Sequence, residues 1–427
     1  MDSWTLVIVT AVSTLLLGGL VLFVLRQLAP REKEVHVRLE HLYGADDEQF
    51  VRTLGSLFTA SCHPGNAVTA LRNGDEIFPA MLTAIAGAQR TITFETFIYW
   101  SGEIGRRFTE ALAERARAGV RVHVLLDWFG SMRMDEALLD ALRDAGAEVE
   151  RYHRPHPLRP HHTNHRTHRK LLVVDGRIGF TGGVGIADEW TGNAQDPAHW
   201  RDSHFRVEGP AVAALQGAFM DNWVKARGEV LHSDRYFPKL EPAGEQVCQV
   251  LQSSPEGGSD SVRLMFLLAI TAASHSIRIG TAYFVPDTLA TETLLAARRR
   301  GVRVQIIVPG QYNDEGLVRL VSRDRYGAFL AAGIEIYEYQ PTMYHTKLMI
   351  VDEVWVSVGS TNFDNRSFRL NDEVNLNVYD PELARQQIAW FEDDLARSAR
   401  IELDDWRRRP LGEKLKARAA AALSSQI

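Results

Sequence analysis

Cysteine is nearly missing. Cys62 and Cys248 are the only two in 427 residues, and their separation excludes a disulfide framework or a cysteine-built metal site. A surplus of positive charge is missing too: 48 Lys plus Arg face 54 Asp plus Glu, a formal net charge of −6. Without a general basic field, no nucleic-acid partner is expected. Compositional bias is also absent, since 45% hydrophobic and 24% charged residues make an ordinary globular balance, neither disordered nor collagen-like. The length is enough for two to three folded units with sizeable cores.

Charge is absent locally as well. Thr5 to Leu25 reads TLVIVTAVSTLLLGGLVLFVL without one ionisable side chain. About 20 such residues span a bilayer core, so 5–25 is expected to be a transmembrane helix. A signal peptide would need a basic start, and this chain begins Met-Asp-Ser. A core helix would carry a polar stripe. Arg26, Arg31 and Lys33 follow the run and Asp2 precedes it, which predicts a single-pass protein with its body on the cytoplasmic side. At the other end, residues 400–427 form a basic tail. Arg407, Arg408, Arg409, Lys414, Lys416 and Arg418 alternate with Leu411 and Leu415. Two readings stay open for it, a helix lying on anionic headgroups and a solvated terminal helix.

The body is written twice. Ile92-Thr-Phe-Glu-Thr returns as Ile277-Arg-Ile-Gly-Thr, and Gly119-Val-Arg-Val-His-Val as Gly301-Val-Arg-Val-Gln-Ile. Ala145-Gly-Ala-Glu-Val returns as Ala332-Gly-Ile-Glu-Ile, and His168-Arg-Lys-Leu-Leu-Val-Val-Asp as His345-Thr-Lys-Leu-Met-Ile-Val-Asp. Collinear matches with drifting offsets describe a duplicated domain with loop changes. In the first copy Thr91–Ile98 reads as a strand, Arg106–Ala118 as a helix and Arg121–Leu126 as a strand covered on both faces. This alternation predicts two α/β sandwich domains with mixed, largely parallel sheets, at 66–238 and 245–395. Pro238 to Gly258 reads as their junction, in which Val247–Leu251 already has strand character.

The chemistry sits in His168-x-Lys170-x4-Asp175 and His345-x-Lys347-x4-Asp352. Residues two apart on a strand face the same side, so each histidine shares a space with its lysine. Imidazole serves as nucleophile or proton donor near neutral pH, and an ammonium binds phosphoryl oxygen. Asp175 and Asp352 fall at an odd spacing before turn residues and read as structural. Small residues follow each motif, Gly183 and Gly185 in the first copy, Ser360 and Asn362 in the second. They offer close approach to a phosphate. Asp202 and Glu373 each stand eight residues before a proline, Pro210 and Pro381, and are expected to orient the histidines. A lone His-x-Lys carries little weight. Two, each with matching acids and small residues, carry much.

These residues resemble the phospholipase D superfamily, whose mark is two HxKx4D motifs meeting at a pseudo-twofold interface. The resemblance narrows to bacterial cardiolipin synthases through Asn73-Gly-Asp-Glu-Ile-Phe-Pro, Glu95-Thr-Phe-Ile-Tyr-Trp, Asn164-His-Arg-Thr-His-Arg-Lys, Gly359-Ser-Thr-Asn-Phe-Asp-Asn-Arg-Ser-Phe and Leu370-Asn-Asp-Glu-Val-Asn. It covers about Asn66 to Glu392. It implies a membrane-bound phosphatidyltransferase making cardiolipin from two phosphatidylglycerols, with phospholipids as partners and no cofactor. Catalysis would fall to His168, Lys170, Asp175, His345, Lys347 and Asp352, with His168 attacking. Asn362, Ser360 and Gly183 would bind phosphate. Gly185 departs from the family's asparagine, and one apolar run stands where many relatives have two.

A hydrolytic phospholipase D releasing phosphatidic acid would use the same motifs. A non-catalytic membrane scaffold of the same fold is the alternative from another class. His153, His156, His161, His162 and His165 crowd before the first motif, but Pro155, Pro157 and Pro160 forbid a helical ligand set and no acid lies among them. No metal is expected.

Overall fold

A computed structural model describes residues 3–28, 39–58, 60–154, 164–254 and 261–421. Ser3–Leu28 is one helix, and every side chain from Trp4 to Gly19 is exposed. Side chains of 20–28 lie outside the described ones, and among the described residues no helix is long and apolar enough to cross a membrane. Residues from Leu39 onward form a separate compact unit.

The first repeat supplies β1 (His63–Arg72), β2 (Thr91–Thr96), β3 (Arg121–Asp127), β4 (Glu148–Tyr152), β5 (Arg166–Thr167), β6 (Leu171–Val174), β7 (Ile178–Gly182) and β8 (Ser203–Glu208). The second supplies β9 (Gln246–Ser253), β10 (Ser276–Thr281), β11 (Phe284–Val285), β12 (Arg303–Pro309), β13 (Glu335–Tyr339), β14 (Lys347–Val351), β15 (Trp355–Gly359), β16 (Phe363–Asp364), β17 (Asn371–Tyr379) and β18 (Ser398–Arg400). All but β11 and β16 join one 16-stranded sheet, ordered β18-β13-β12-β10-β14-β15-β17-β9-β1-β8-β7-β6-β2-β3-β4, with β5 on β17. Read outward from the β9–β1 pair, the two wings repeat the same order. Outer strands β2, β3 and β4 run parallel, as do β10, β12 and β13, while the inner strands are antiparallel.

The chain composition explains the layering. β3 is buried from Val122 to Asp127, as a strand with helices on both faces must be. The helix Glu103–Arg117 turns Phe108 and Leu112 inward. Its first N–H groups, on Glu103 and Ile104, donate to the Asp188 carboxylate, which satisfies donors that a helix start leaves open. On the opposite face, helices Val212–Arg227 and Pro381–Ala396 cover an apolar layer that crosses the seam. Leu215, Phe219 and Trp223 share that layer with Val374, Leu376 and Leu383.

Two segments outside the expected domains belong to this unit. Phe50 and Leu54, on the helix Glu48–Leu57, pack into the second repeat's core with Phe266 and Trp355. The basic tail is folded rather than free as far as Ala421. Trp406 closes on Gly327 and donates from Nε1 to the Arg323 carbonyl at 2.6 Å, and Ala417 of the helix Leu411–Ala421 is buried. Leu411 and Leu415 remain exposed. Cys62 is half-buried and Cys248 buried, both free.

Candidate active site

Short parallel pairings carry each motif across to the other repeat. β5, just before His168, pairs with Asn371 and Asp372 at the start of β17, and the His168 N–H donates to the Asp372 carbonyl at 2.9 Å. In the mirror arrangement Arg201 bridges Tyr344, and the His345 N–H donates to the Arg201 carbonyl at 2.8 Å. Each histidine therefore lands one residue from the other repeat's acid.

The side chains follow. Nδ1 of His168 lies 3.0 and 3.1 Å from the two oxygens of Glu373, and Nδ1 of His345 lies 2.7 Å from Oδ2 of Asp202. Burial alone would raise both carboxyls, but the facing imidazoles and nearby ammonium groups outweigh it and hold them below the usual range. Ionised carboxylates can only accept, so each Nδ1 carries the hydrogen. Nε2 of a neutral ring is left with its lone pair.

Burial pushes His168 down to about 4 against the pull of Glu373, and it lowers His345 as well, with Lys347 adding to the effect. Burial likewise lowers Lys170 to about 7 and Lys347 to about 8. The Lys170 ammonium donates to the His168 carbonyl at 2.8 Å, and Nζ of Lys347 lies 3.0 and 3.1 Å from the two His345 ring nitrogens. At neutral pH the site thus holds two neutral imidazoles and two weakened ammonium groups. A phosphodiester anion would favour the charged forms of Lys170, Lys347 and one imidazole, leaving the other ring neutral to attack.

Four of the residues that the resemblance places at the site face other groups, and the two aspartates among them are structural, as their spacing suggests. Asp175 and Asp352 stay outside the site. Asp175 accepts from the N–H groups of Gln89, Arg90 and Thr91, and Asp352 from those of Ser274, His275 and Ser276. They tie the β6–β7 and β14–β15 turns to the starts of β2 and β10. Gly183 gives its N–H to the Ser203 carbonyl, and a Cβ there would sit 2.1 Å from Oδ1 of Asp202. It is small because the carboxylate occupies that space. Ser360 donates from Oγ to Oε2 of Glu373 and accepts from the Val374 N–H at 3.0 Å, so it steadies the acid instead of facing a phosphate. Asn362 is different: it is 2% exposed, and its Oδ1 has no hydrogen-bond partner.

Other residues complete the site without a motif to announce them. Trp190 donates from Nε1 to Oδ2 of Asp202 at 2.9 Å, and its ring stands 5.1 Å from that of His345, with Trp200 at 5.5 Å. Phe97 packs at 5.3 Å from the His168 ring, with Nζ of Lys170 5.5 Å from its centre. Arg169, fully buried on the opposite side of the motif strand, donates to the carbonyls of Ala218, Ser253 and Glu373. The paired Trp residues in Glu189-Trp190 and His199-Trp200 were the available signal. His156, His161 and His162 lie outside the described residues, and among the described ones no group of three or more His, Cys, Asp or Glu is arranged for a metal.

A mixed sheet of two fused α/β repeats, with a histidine and a lysine from each meeting across the seam, defines the phospholipase D class of proteins. The family described as "Cardiolipin synthase, PLD-like domain" matches residues 81–197 and 266–395, and the chain belongs to it. It is 34% identical over 363 residues to the major cardiolipin synthase ClsA of Bacillus subtilis (strain 168), covering 84% of this chain and 75% of that one. Cardiolipin synthase A of Pseudomonas fluorescens (strain Pf-5) is 34% identical over 375 residues, 88% of this chain and 78% of that one. A crystal structure of phosphatidylserine synthase from Haemophilus influenzae Rd KW20 has a TM-score of 0.65 at 13% identity, covering 89% of this chain and 99% of that chain. The fold is shared with it.

Proposed function

We propose that this chain is a phosphatidyltransferase that makes cardiolipin from two phosphatidylglycerols and releases glycerol. The observation that carries the reaction type is the crossed pairing of two imidazoles with two buried carboxylates. The lipid substrates rest on the cardiolipin synthases to which the chain is similar.

In this reading Nε2 of His168 attacks phosphorus of the first lipid, forming a P–N bond as the P–O bond to glycerol breaks. His345, protonated in the presence of the anion, gives its proton to the departing glycerol oxygen. The headgroup hydroxyl of the second phosphatidylglycerol then passes its proton to His345 and attacks phosphorus. The P–N bond breaks, His168 is regenerated and cardiolipin leaves. Lys170, Lys347 and Asn362 hold the non-bridging oxygens as charge accumulates. Glu373 and Asp202 keep both rings in the tautomer with Nε2 facing the reaction.

Purified full-length protein given labelled phosphatidylglycerol vesicles is expected to yield cardiolipin and an equal amount of glycerol. Phosphatidic acid as the main product would replace this reading with the hydrolytic one. No turnover of any phospholipid would favour the scaffold.

The run Thr5–Leu25 is further read as a single-pass anchor in the bacterial inner membrane, with the body in the cytoplasm. Its lack of charge and the exposure of the apolar side chains from Trp4 to Leu17 support this. Removing residues 1–38 should leave a folded unit that no longer sediments with membranes through alkaline carbonate washing. A truncated protein bound as firmly as the full chain would overturn the anchor.

A further inference from the structure

The two halves of the site are not equivalent, and the difference is concentrated at matched positions. The Thr96 hydroxyl donates to the Ile98 carbonyl, and the Thr281 hydroxyl donates to that of Tyr283. The next residues pair in parallel with the segment after the small-residue turn: Tyr99 with Ile186, and Phe284 with Phe363. Ile98 and Gly185 are thus the first-half counterparts of Tyr283 and Asn362. In the first half this corner is apolar and full, since a Cβ on Gly185 would lie 2.7 Å from Cβ of Ile98. In the second half it is polar and unsatisfied, with the Asn362 Oδ1 buried and unpartnered.

On the second side an exposed acid joins the site. The loop after β12 brings Asp314 within 2.7 Å of the Tyr283 hydroxyl, which donates to its Oδ2. Asp314 is exposed, and its charge acts on both His345 and Lys347. After β3 the strand-end Asp127 also acts on Lys170, but it is buried and bonded to the N–H groups of Phe129, Gly130 and Thr167, and Asp135 closes that loop at the next helix. Ligands of parallel sheets collect at these carboxyl ends of strands.

We propose that Asp314, held by Tyr283 beside Asn362, accepts hydrogen bonds from the free hydroxyls of the glycerol headgroup on the His345 side. This rests on the reaction given above and assigns its alcohol subsite. A carboxylate with one oxygen already bonded to Tyr283 keeps lone pairs for a hydroxyl. Lys170 and Lys347 in the same pocket disfavour a cationic headgroup such as ethanolamine. The apolar Ile98–Gly185 corner offers a polyol nothing to bond.

The test uses full-length enzyme in the reverse direction, with cardiolipin vesicles and free glycerol as the probe, following phosphatidylglycerol formation. Losing a hydrogen bond to a charged group costs on the order of tenfold or more in binding. Asp314→Ala is therefore expected to raise half-saturating glycerol about tenfold while the maximal rate stays within about threefold, with Tyr283→Phe moving it the same way by less. Unchanged half-saturation in both variants would overturn the proposal, as would a fall in maximal rate alone. A wild-type enzyme that forms no cardiolipin from phosphatidylglycerol would overturn the parent reading and this one together. A wild type that forms it, beside insensitive variants, removes only the alcohol subsite.

Discussion

Nδ1 of His168 meets the Glu373 carboxylate at 3.0 Å, although 205 residues separate them. The nearer acid in sequence, Asp202, serves His345 instead. Neither motif histidine is paired with the acid of its own repeat. Glu373→Gln and Asp202→Asn should each lower kcat by about a hundredfold or more, because an amide no longer fixes the reactive tautomer. Acid-quench labelling checks the assignment: Glu373→Gln should suppress the phosphatidyl-enzyme at His168. Labelling at wild-type rate in that variant would separate the acid from the nucleophile.

The same crossing occurs within one chain, which sets the result of a mixing experiment. His168→Ala and His345→Ala should each abolish turnover, and an equimolar mixture should stay inactive. Recovered activity would place the paired groups on different molecules.

The pH dependence of kcat/KM follows from the free-site charges. His168 is neutral above about 4, so the acid limb should fall near there. Lys170 loses its proton as pH rises through about 7 and Lys347 through about 8, so affinity for an anionic lipid should decline across that interval. Stopped-time assays from pH 3.5 to 9.5 on one lipid composition read both limbs. A flat profile up to pH 9.5 would mean that the lysines keep their ordinary basicity.

Asp175→Asn should cost stability and spare chemistry. The carboxylate accepts three backbone N–H groups at a left-handed turn position, φ 53°, which asparagine also tolerates. The loss is about 1–3 kcal/mol, the value of charge-assisted bonds. Thermal unfolding should move down while kcat per folded molecule stays within a few-fold. A large fall in kcat at unchanged Tm would return Asp175 to the reaction.

Gly185→Asn restores the residue usual at this place in the family, yet it should destabilise this chain. Its Cβ would lie 2.7 Å from Ile98 Cβ and its side chain would press on Trp190, a crowding worth about 1–3 kcal/mol. Ile98→Gly in the same molecule, which removes that Cβ, should recover part of the loss. Paired melting curves would show this, and an additive double variant would refute the coupling.

The duplicated fold and the histidine–lysine clusters were legible because each is a local pattern that occurs twice. The alternation of β-branched runs with amphipathic helices needs no knowledge of long-range contacts. The partnership of each acid did need it. Asp202 and Glu373 occupy equal positions in their repeats, and only the parallel pairings of β5 with β17 and of Arg201 with Tyr344 decide which ring each faces. The small residues misled for a related reason. Gly183 and Ser360 look like phosphate-cradle residues, but each is fitted to the adjacent carboxylate. Trp190 and Trp200 look like core residues, and their value lies in walling His345. The docking of the tail was hidden because its basic residues suggest a solvated or lipid-facing helix, while burial of Ala417 and the Trp406 contact depend on a partner helix far upstream.

The packing of Phe50 against Trp355, ring centres 6.0 Å apart, sets an order of events during synthesis. The earliest-made part of the compact unit covers a surface whose residues leave the ribosome about 300 positions later. At roughly 5–20 residues per second, that is a wait of about 15–60 s. Throughout it the first repeat can assemble β2, β3, β4, β6, β7 and β8, but Phe50 lacks the rings of Trp355 and Tyr379 against which it packs. Translation must pass Tyr379 before that aromatic cluster can close, so the seat of the helix Glu48–Leu57 is completed by residues made near the end of the second repeat.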